Sequence, residues 1–79
     1  MKKKIAVFGS TGSIGTQALE VIEQHPDLFE VDILTAHANG DLLVQQALKH
    51  QPNAVVIGEE AQYAKINDAL FPHGIKVFT

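Results

Sequence analysis

The sequence predicts an α/β protein, a parallel sheet doubly wound by helices and cut to βαβαβαβ. Three observations carry that expectation. Short apolar runs alternate with stretches of helical periodicity along the whole chain, and the connections between them are short. The first apolar run then passes into the first helix through GSTGSIG, where Gly9, Gly12 and Gly15 stand at intervals of three.

Each element follows from its residues. KIAVF at 4–8 is a short apolar run suited to a strand covered on both faces. Residues 13–25 place Ile14, Ala18, Val21 and Ile22 at helical spacing, with Glu20, Glu23 and Gln24 turned away. That helix should stop at His25, because Pro26 disfavours helical geometry in the residue before it. EVDILTA at 30–36 is the second strand. A second helix over 40–50 turns Leu43, Val44, Ala47 and Leu48 inward, and Pro52 ends it.

AVVIG at 54–58, β-branched and closed by Gly58, is the third strand. A third helix over 59–70 turns Tyr63, Ile66 and Leu70 inward, with Glu59 and Glu60 in its first turn, where the helix dipole favours negative charge. Pro72 and Gly74 then lead into IKVF, the fourth strand. Right-handed crossovers are required, and the expected strand order is 3-2-1-4.

Composition narrows the function classes. The 79 residues make one domain or a piece of one. A hydrophobic fraction of 46% excludes disorder. A net charge of −3 with only six Lys and Arg gives no electrostatic case for a nucleic-acid partner. The absence of cysteine excludes disulfides and thiolate metal sites. MKKK leads into four apolar residues and then glycine, which is neither a signal peptide nor a membrane span. The expectation is a cytoplasmic protein that does not engage the membrane.

The glycines lie where a strand becomes a helix, the context that a Rossmann-like dinucleotide site demands. The spacing is GxxGxxG, so Ser10 stands where the usual first glycine would be. Gly9 permits the sharp turn out of the strand, Gly12 lets backbone approach a pyrophosphate, and Gly15 lets the helix pack closely. Amides around Gly12, Ser13 and Ile14 would be free donors at a helix N-terminus, with the hydroxyls of Thr11 and Ser13 beside them. A tight turn needs glycine even with no ligand, but two would suffice for that. No Lys follows, which excludes a P-loop.

The tip of the second strand selects the cofactor. An NAD site usually carries Asp or Glu about 20 residues past the glycines, on the ribose 2′-hydroxyl. Here the stretch is Thr35-Ala36-His37-Ala38-Asn39-Gly40-Asp41, with no carboxylate at the tip and Asp41 already in the next helix. That favours NADP, with His37, Asn39 and the N-terminus of the second helix left to meet the 2′-phosphate. Asn39 is equally suited to cap that helix. His25, His37, His50 and His73 are too scattered for a local metal motif. No catalytic set can be argued.

GSTGSIGTQALEVIEQHPDLFEV, then LTA, then PNAVVI, closely resembles the N-terminus of the 1-deoxy-D-xylulose 5-phosphate reductoisomerase family, from Lys4 to the last strand. The resemblance implies an NADPH-dependent enzyme of non-mevalonate isoprenoid biosynthesis. Such enzymes rearrange a phosphorylated deoxypentulose and reduce the product to 2-C-methyl-D-erythritol 4-phosphate. It also implies a divalent metal (Mg, Mn or Co) and a homodimer. Carried over by motif, the cofactor contacts fall on Thr11, Gly12, Ser13, Ile14 and Asn39. No catalytic residue and no metal ligand falls in these residues.

Two departures accompany the resemblance. Many members have Gly-Lys-Asn at the strand tip, where this chain has His37-Ala38-Asn39. Members are also several times longer. Residues 1–79 are therefore expected to be the N-terminal part of an NADPH-binding domain, inactive alone, with the other domains beyond Thr79. A bare fourth strand would then drive self-association. The rivals are another NADP reductase, such as a semialdehyde dehydrogenase or a dihydrodipicolinate-type reductase; a free-standing nucleotide-sensing module without catalysis; and a structural domain that binds nothing.

Overall fold

The computed structural model describes residues 2–79. Four strands alternate with three helices: β1 (Lys3–Val7), α1 (Ser13–Gln24), β2 (Phe29–Ala36), α2 (Gly40–His50), β3 (Ala54–Ile57), α3 (Tyr63–Leu70) and β4 (Lys76–Phe78). All neighbouring strands are parallel. The α/β, Rossmann-like class expected from the alternation is the one observed.

The strand order is β1-β2-β3-β4 and not the expected 3-2-1-4. β4 pairs with β3 through Ala54–Lys76, Val55–Val77 and Val56–Phe78, so β1 stays at an edge. The physical reason lies in the last connection. α3 ends in a 3-10 turn over Phe71–His73, and Gly74, at φ +75°, reverses the chain at once. Ile75 N–H then donates to Leu70 O, and Lys76 N–H to Asn53 O, which lands the strand beside β3. The third crossover thus repeats the step to the adjacent edge that the first two make.

Three right-handed crossovers stepping in one direction put all three helices on one face of the sheet. The burial pattern agrees with this arrangement. Val7, Leu34, Val55 and Val77, which form one row across the sheet, are all buried beneath the helices. Leu43, Ile57, Ile66 and Leu70 complete the fully buried centre. The rows pointing to the other face are Ala6–Ile33–Ala54–Lys76 and Thr35–Val56–Phe78, with Phe8 beside Thr35. Phe8 and Phe78 are 79% and 51% exposed there. The shortest dimension, 15 Å, is that of two layers.

Local departures from the sequence pattern have local causes. α1 buries Gly15, Leu19 and Ile22, whereas Ile14 and Val21 face solvent, because docking through Gly15 rotates the helix. It ends at Gln24, with His25 N–H closing the last turn on Ile22 O. On α2, Gln46 is buried where Leu48 was expected, and Leu48 is exposed. The third helical segment starts as a 3-10 turn, Glu60–Gln62, so Tyr63 lies at a helix start and is partly exposed. No described helix is long and apolar enough to cross a membrane.

Candidate cofactor site

The chain leaves β1 through a turn that only its first glycine allows: Gly9 has φ +69°. β2 fixes the turn from the side. Gly9 N–H donates to Thr35 Oγ1 at 2.9 Å, and Ser10 N–H donates to Thr35 O at 2.8 Å. Gly12 N–H closes the turn on Gly9 O at 3.1 Å. Ser10 is fully buried; its hydroxyl donates to Gln46 Oε1 at 2.7 Å, and Gln46 Nε2 donates back to Ser10 O at 2.8 Å.

The three glycines have separate reasons. Gly9 is required by its backbone angle. Gly15 is required by contact, since a Cβ there would stand 2.2 Å from Gly9 O. Gly12 is required by neither: its φ is −81°, and an added Cβ would meet only Gly9 O, at an ordinary 3.5 Å. Gly12 is the N-cap of α1 and supplies no side-chain acceptor. The amides of Thr11, Ser13 and Ile14 have no hydrogen-bond partner among the described residues. The result is a cluster of free donors at the positive end of a 12-residue helix, bonded to none of the described residues. Ile14, 82% exposed, lies beside them.

The tip of β2 sits at the same end of the sheet, because β1 and β2 are parallel neighbours. Asn39 caps α2, its Oδ1 accepting from Leu42 N–H at 3.3 Å. Capping uses only the oxygen, which leaves Nδ2 as a donor. His37 is held against the start of the loop after β3. Glu59 N–H donates to His37 O, and a Cβ on Gly58 would lie 2.5 Å from His37 Nδ1. Gln62 Nε2 donates to Ala38 O and so braces the tip.

The sequence-derived residues therefore gather at one end of the sheet: Thr11, Gly12, Ser13 and Ile14 at the β1–α1 junction, and Asn39 at the neighbouring tip. Thr35 and Gln46 belong with them and were not anticipated. Gln46 had a signal, a polar side chain next to Ala47 on the face that carries Leu43. A hollow of about 220 Å³ between α1 and α2 lies elsewhere, around the 2.7 Å Glu23–Lys49 ion pair and His50. The glycine junction is an open ledge. In a sheet whose order reverses beside β1, a second wall would face it; here β1 is an edge.

The family model for 1-deoxy-D-xylulose 5-phosphate reductoisomerase matches residues 5–79. The chain belongs to that family. A reductoisomerase of Phocaeicola vulgatus is 59% identical over 78 residues, and one of Porphyromonas gingivalis is 53% identical over 78. Each match covers 99% of this chain and 20% of the relative. Among solved structures, the Zymomonas mobilis reductoisomerase in complex with NADPH superposes with a TM-score of 0.93 at 29% identity, over 99% of this chain and 21% of that one. A reductoisomerase in complex with NADPH, fosmidomycin and magnesium gives 0.84 at 28%, over 95% and 19%. The chain thus spans about a fifth of the length of the reductoisomerases it matches.

Proposed function

We propose that residues 1–79 are the N-terminal part of the NADPH-binding domain of a 1-deoxy-D-xylulose 5-phosphate reductoisomerase. The whole enzyme would rearrange 1-deoxy-D-xylulose 5-phosphate and reduce the product to 2-C-methyl-D-erythritol 4-phosphate. Gly12 carries this proposal: the fold does not need a glycine there, whereas a ligand approaching the backbone does. Family membership supports it, and so does the likeness to reductoisomerases solved with NADPH.

Bound NADPH supplies a hydride; this chain binds and orients its phosphate end. The amides of Ser13 and Ile14, with the hydroxyls of Thr11 and Ser13, would hold the pyrophosphate. Asn39 Nδ2 and His37 would meet the 2′-phosphate at the N-terminus of α2. Substrate, divalent metal (Mg, Mn or Co) and homodimer contacts belong in this proposal to the rest of the family's chain, in a cytoplasmic enzyme.

Titration of the full chain carrying these residues, followed by cofactor fluorescence, tests the assignment. NADPH should bind more tightly than NADH. Equal affinities would sink the NADP preference, and no binding of either would sink the cofactor role.

A further inference from the structure

We propose that Gln46 is a positioning residue for the cofactor: from inside α2 it sets the backbone of Ser10, and so the direction of the amides that follow. The inference rests on the cofactor role proposed above. Gln46 uses both ends of its amide on a single residue, accepting from the Ser10 hydroxyl and donating to the Ser10 carbonyl. Both residues are buried, and no buried side-chain polar atom among the described residues lacks a partner. Ser10 N–H is tied to Thr35 O, so the peptide units on both sides of Ser10 are anchored to neighbouring elements. Thr11, next in the chain, carries the first of the three open amides.

α2 consequently holds both halves of the site. Asn39 caps it at the β2 tip, and Gln46 grips the glycine junction seven residues on, about 10 Å at 1.5 Å per residue. The two contacts should be separable. The pyrophosphate is common to NADPH and NADH, whereas the 2′-phosphate is not. Gln46 should govern affinity for both cofactors, and the Asn39 end should govern their ratio.

The test uses the full chain carrying these residues. Gln46→Met keeps the side-chain volume and removes both bonds. Leu43→Ala, on the same helix, lowers stability and removes none of the junction's hydrogen bonds. Gln46→Met is expected to weaken NADPH and NADH alike by about tenfold, the scale of losing one or two net hydrogen bonds. Their ratio should stay fixed, and amide hydrogen exchange should quicken at Gly9, Ser10 and Gly12, the bonded amides within residues 9–14. Leu43→Ala should lower the melting temperature and leave affinity and junction exchange unchanged. Gln46→Met affinities equal to the parent's would overturn the proposal, as would a changed cofactor ratio with general loosening of α2. If the parent binds neither cofactor, the cofactor role fails, and exchange alone decides. Faster exchange confined to 9–14 then supports the clamp, and unchanged exchange refutes it.

Discussion

Gly15 and Gly9 are in backbone contact: a Cβ on Gly15 would lie 2.2 Å from the Gly9 carbonyl oxygen and 2.7 Å from Ser10 Cα. Neither atom can move freely, because Gly9 and Ser10 are both bonded to Thr35. Alanine in a helix interior gains about 1 kcal/mol over glycine, and overpacking against fixed atoms typically costs about 1–3 kcal/mol. Gly15→Ala should therefore lose stability, by up to about 2 kcal/mol net on those scales. Urea unfolding measures it; an unchanged or raised midpoint would contradict the contact.

Gly12 should behave in the opposite way. Its extended geometry, φ −81° and ψ 172°, suits a capping side chain that it does not have. Serine is a better N-cap than glycine by a few tenths of a kcal/mol. Gly12→Ser is expected to hold or raise stability, while NADPH affinity falls by about tenfold or more as a side chain enters the pyrophosphate's place, roughly 1.4 kcal/mol or more. Parallel melting and fluorescence titration check both halves. A variant that is stable and binds normally would mean that nothing approaches Gly12.

Much of this was legible in the sequence for physical reasons that can be named. Strand and helix periods differ, so the order of elements could be read from IAVF, the Leu43–Ala47 face and AVVI. The roles of Gly9 and Gly15 followed from what a strand-to-helix turn must do. Strand order was not legible, because apolar patterning fixes which face of a strand is buried and says nothing about which edge β4 joins. Ile14 was misplaced for a related reason: apolar character alone does not distinguish a core residue from one exposed at the open glycine junction. Gln46 stayed hidden because its partner, Ser10, is 36 residues away and no local pattern joins them.

Acid should weaken the packing between α1 and α2. His50, in the last turn of α2, is partly buried, and burial holds its imidazole below the ordinary 6.5; Glu23 pulls the other way and Lys49 adds to the lowering. Lys2 and Glu30 line a second hollow, which Glu23, Lys49 and His50 also border. A histidine with a depressed folded pKa gives stability that is intact above the unfolded value and lost as pH falls through the folded one. Melting temperature should thus decline as pH falls from about 7 to 5, and His50→Gln should flatten that decline. Glu23 is held below 4.5 by its bond to Lys49, so its contribution fades at lower pH still. A parent and His50→Gln with parallel profiles would remove His50 as the cause.

The helix-free face of the sheet predicts self-association of the 79-residue chain in isolation. Phe8, Ile33, Val56 and Phe78 give that face apolar rows, and among the described residues β1 and β4 leave outer edges without partners. Contiguous apolar surface and unpaired edges both favour pairing with another copy. Light scattering should show mass rising with concentration, and Phe78→Lys should reduce it. A strict monomer at high concentration would mean that the face tolerates water.

Asn39→Asp separates the two roles of that residue. Aspartate caps a helix as well as asparagine does, so α2 should keep its stability to within about 0.5 kcal/mol. The substitution exchanges the Nδ2 donor for a carboxylate close to the strand tip, where an NAD site carries one for the ribose 2′-hydroxyl. A 2′-phosphate would be repelled there and a 2′-hydroxyl bound. NADPH affinity should fall and NADH affinity should rise, moving their ratio by about tenfold or more, roughly 1.4 kcal/mol. The parent has no Lys at this tip and only His37 beside Asn39, so a preference for NADPH would rest on few contacts and one charge should shift it. Competition by 2′,5′-ADP gives the same answer without the nicotinamide: it should displace cofactor from the parent and fail to do so from the variant. If the ratio stays put while α2 remains folded, Asn39 is a cap alone, and the 2′-phosphate is met by other residues.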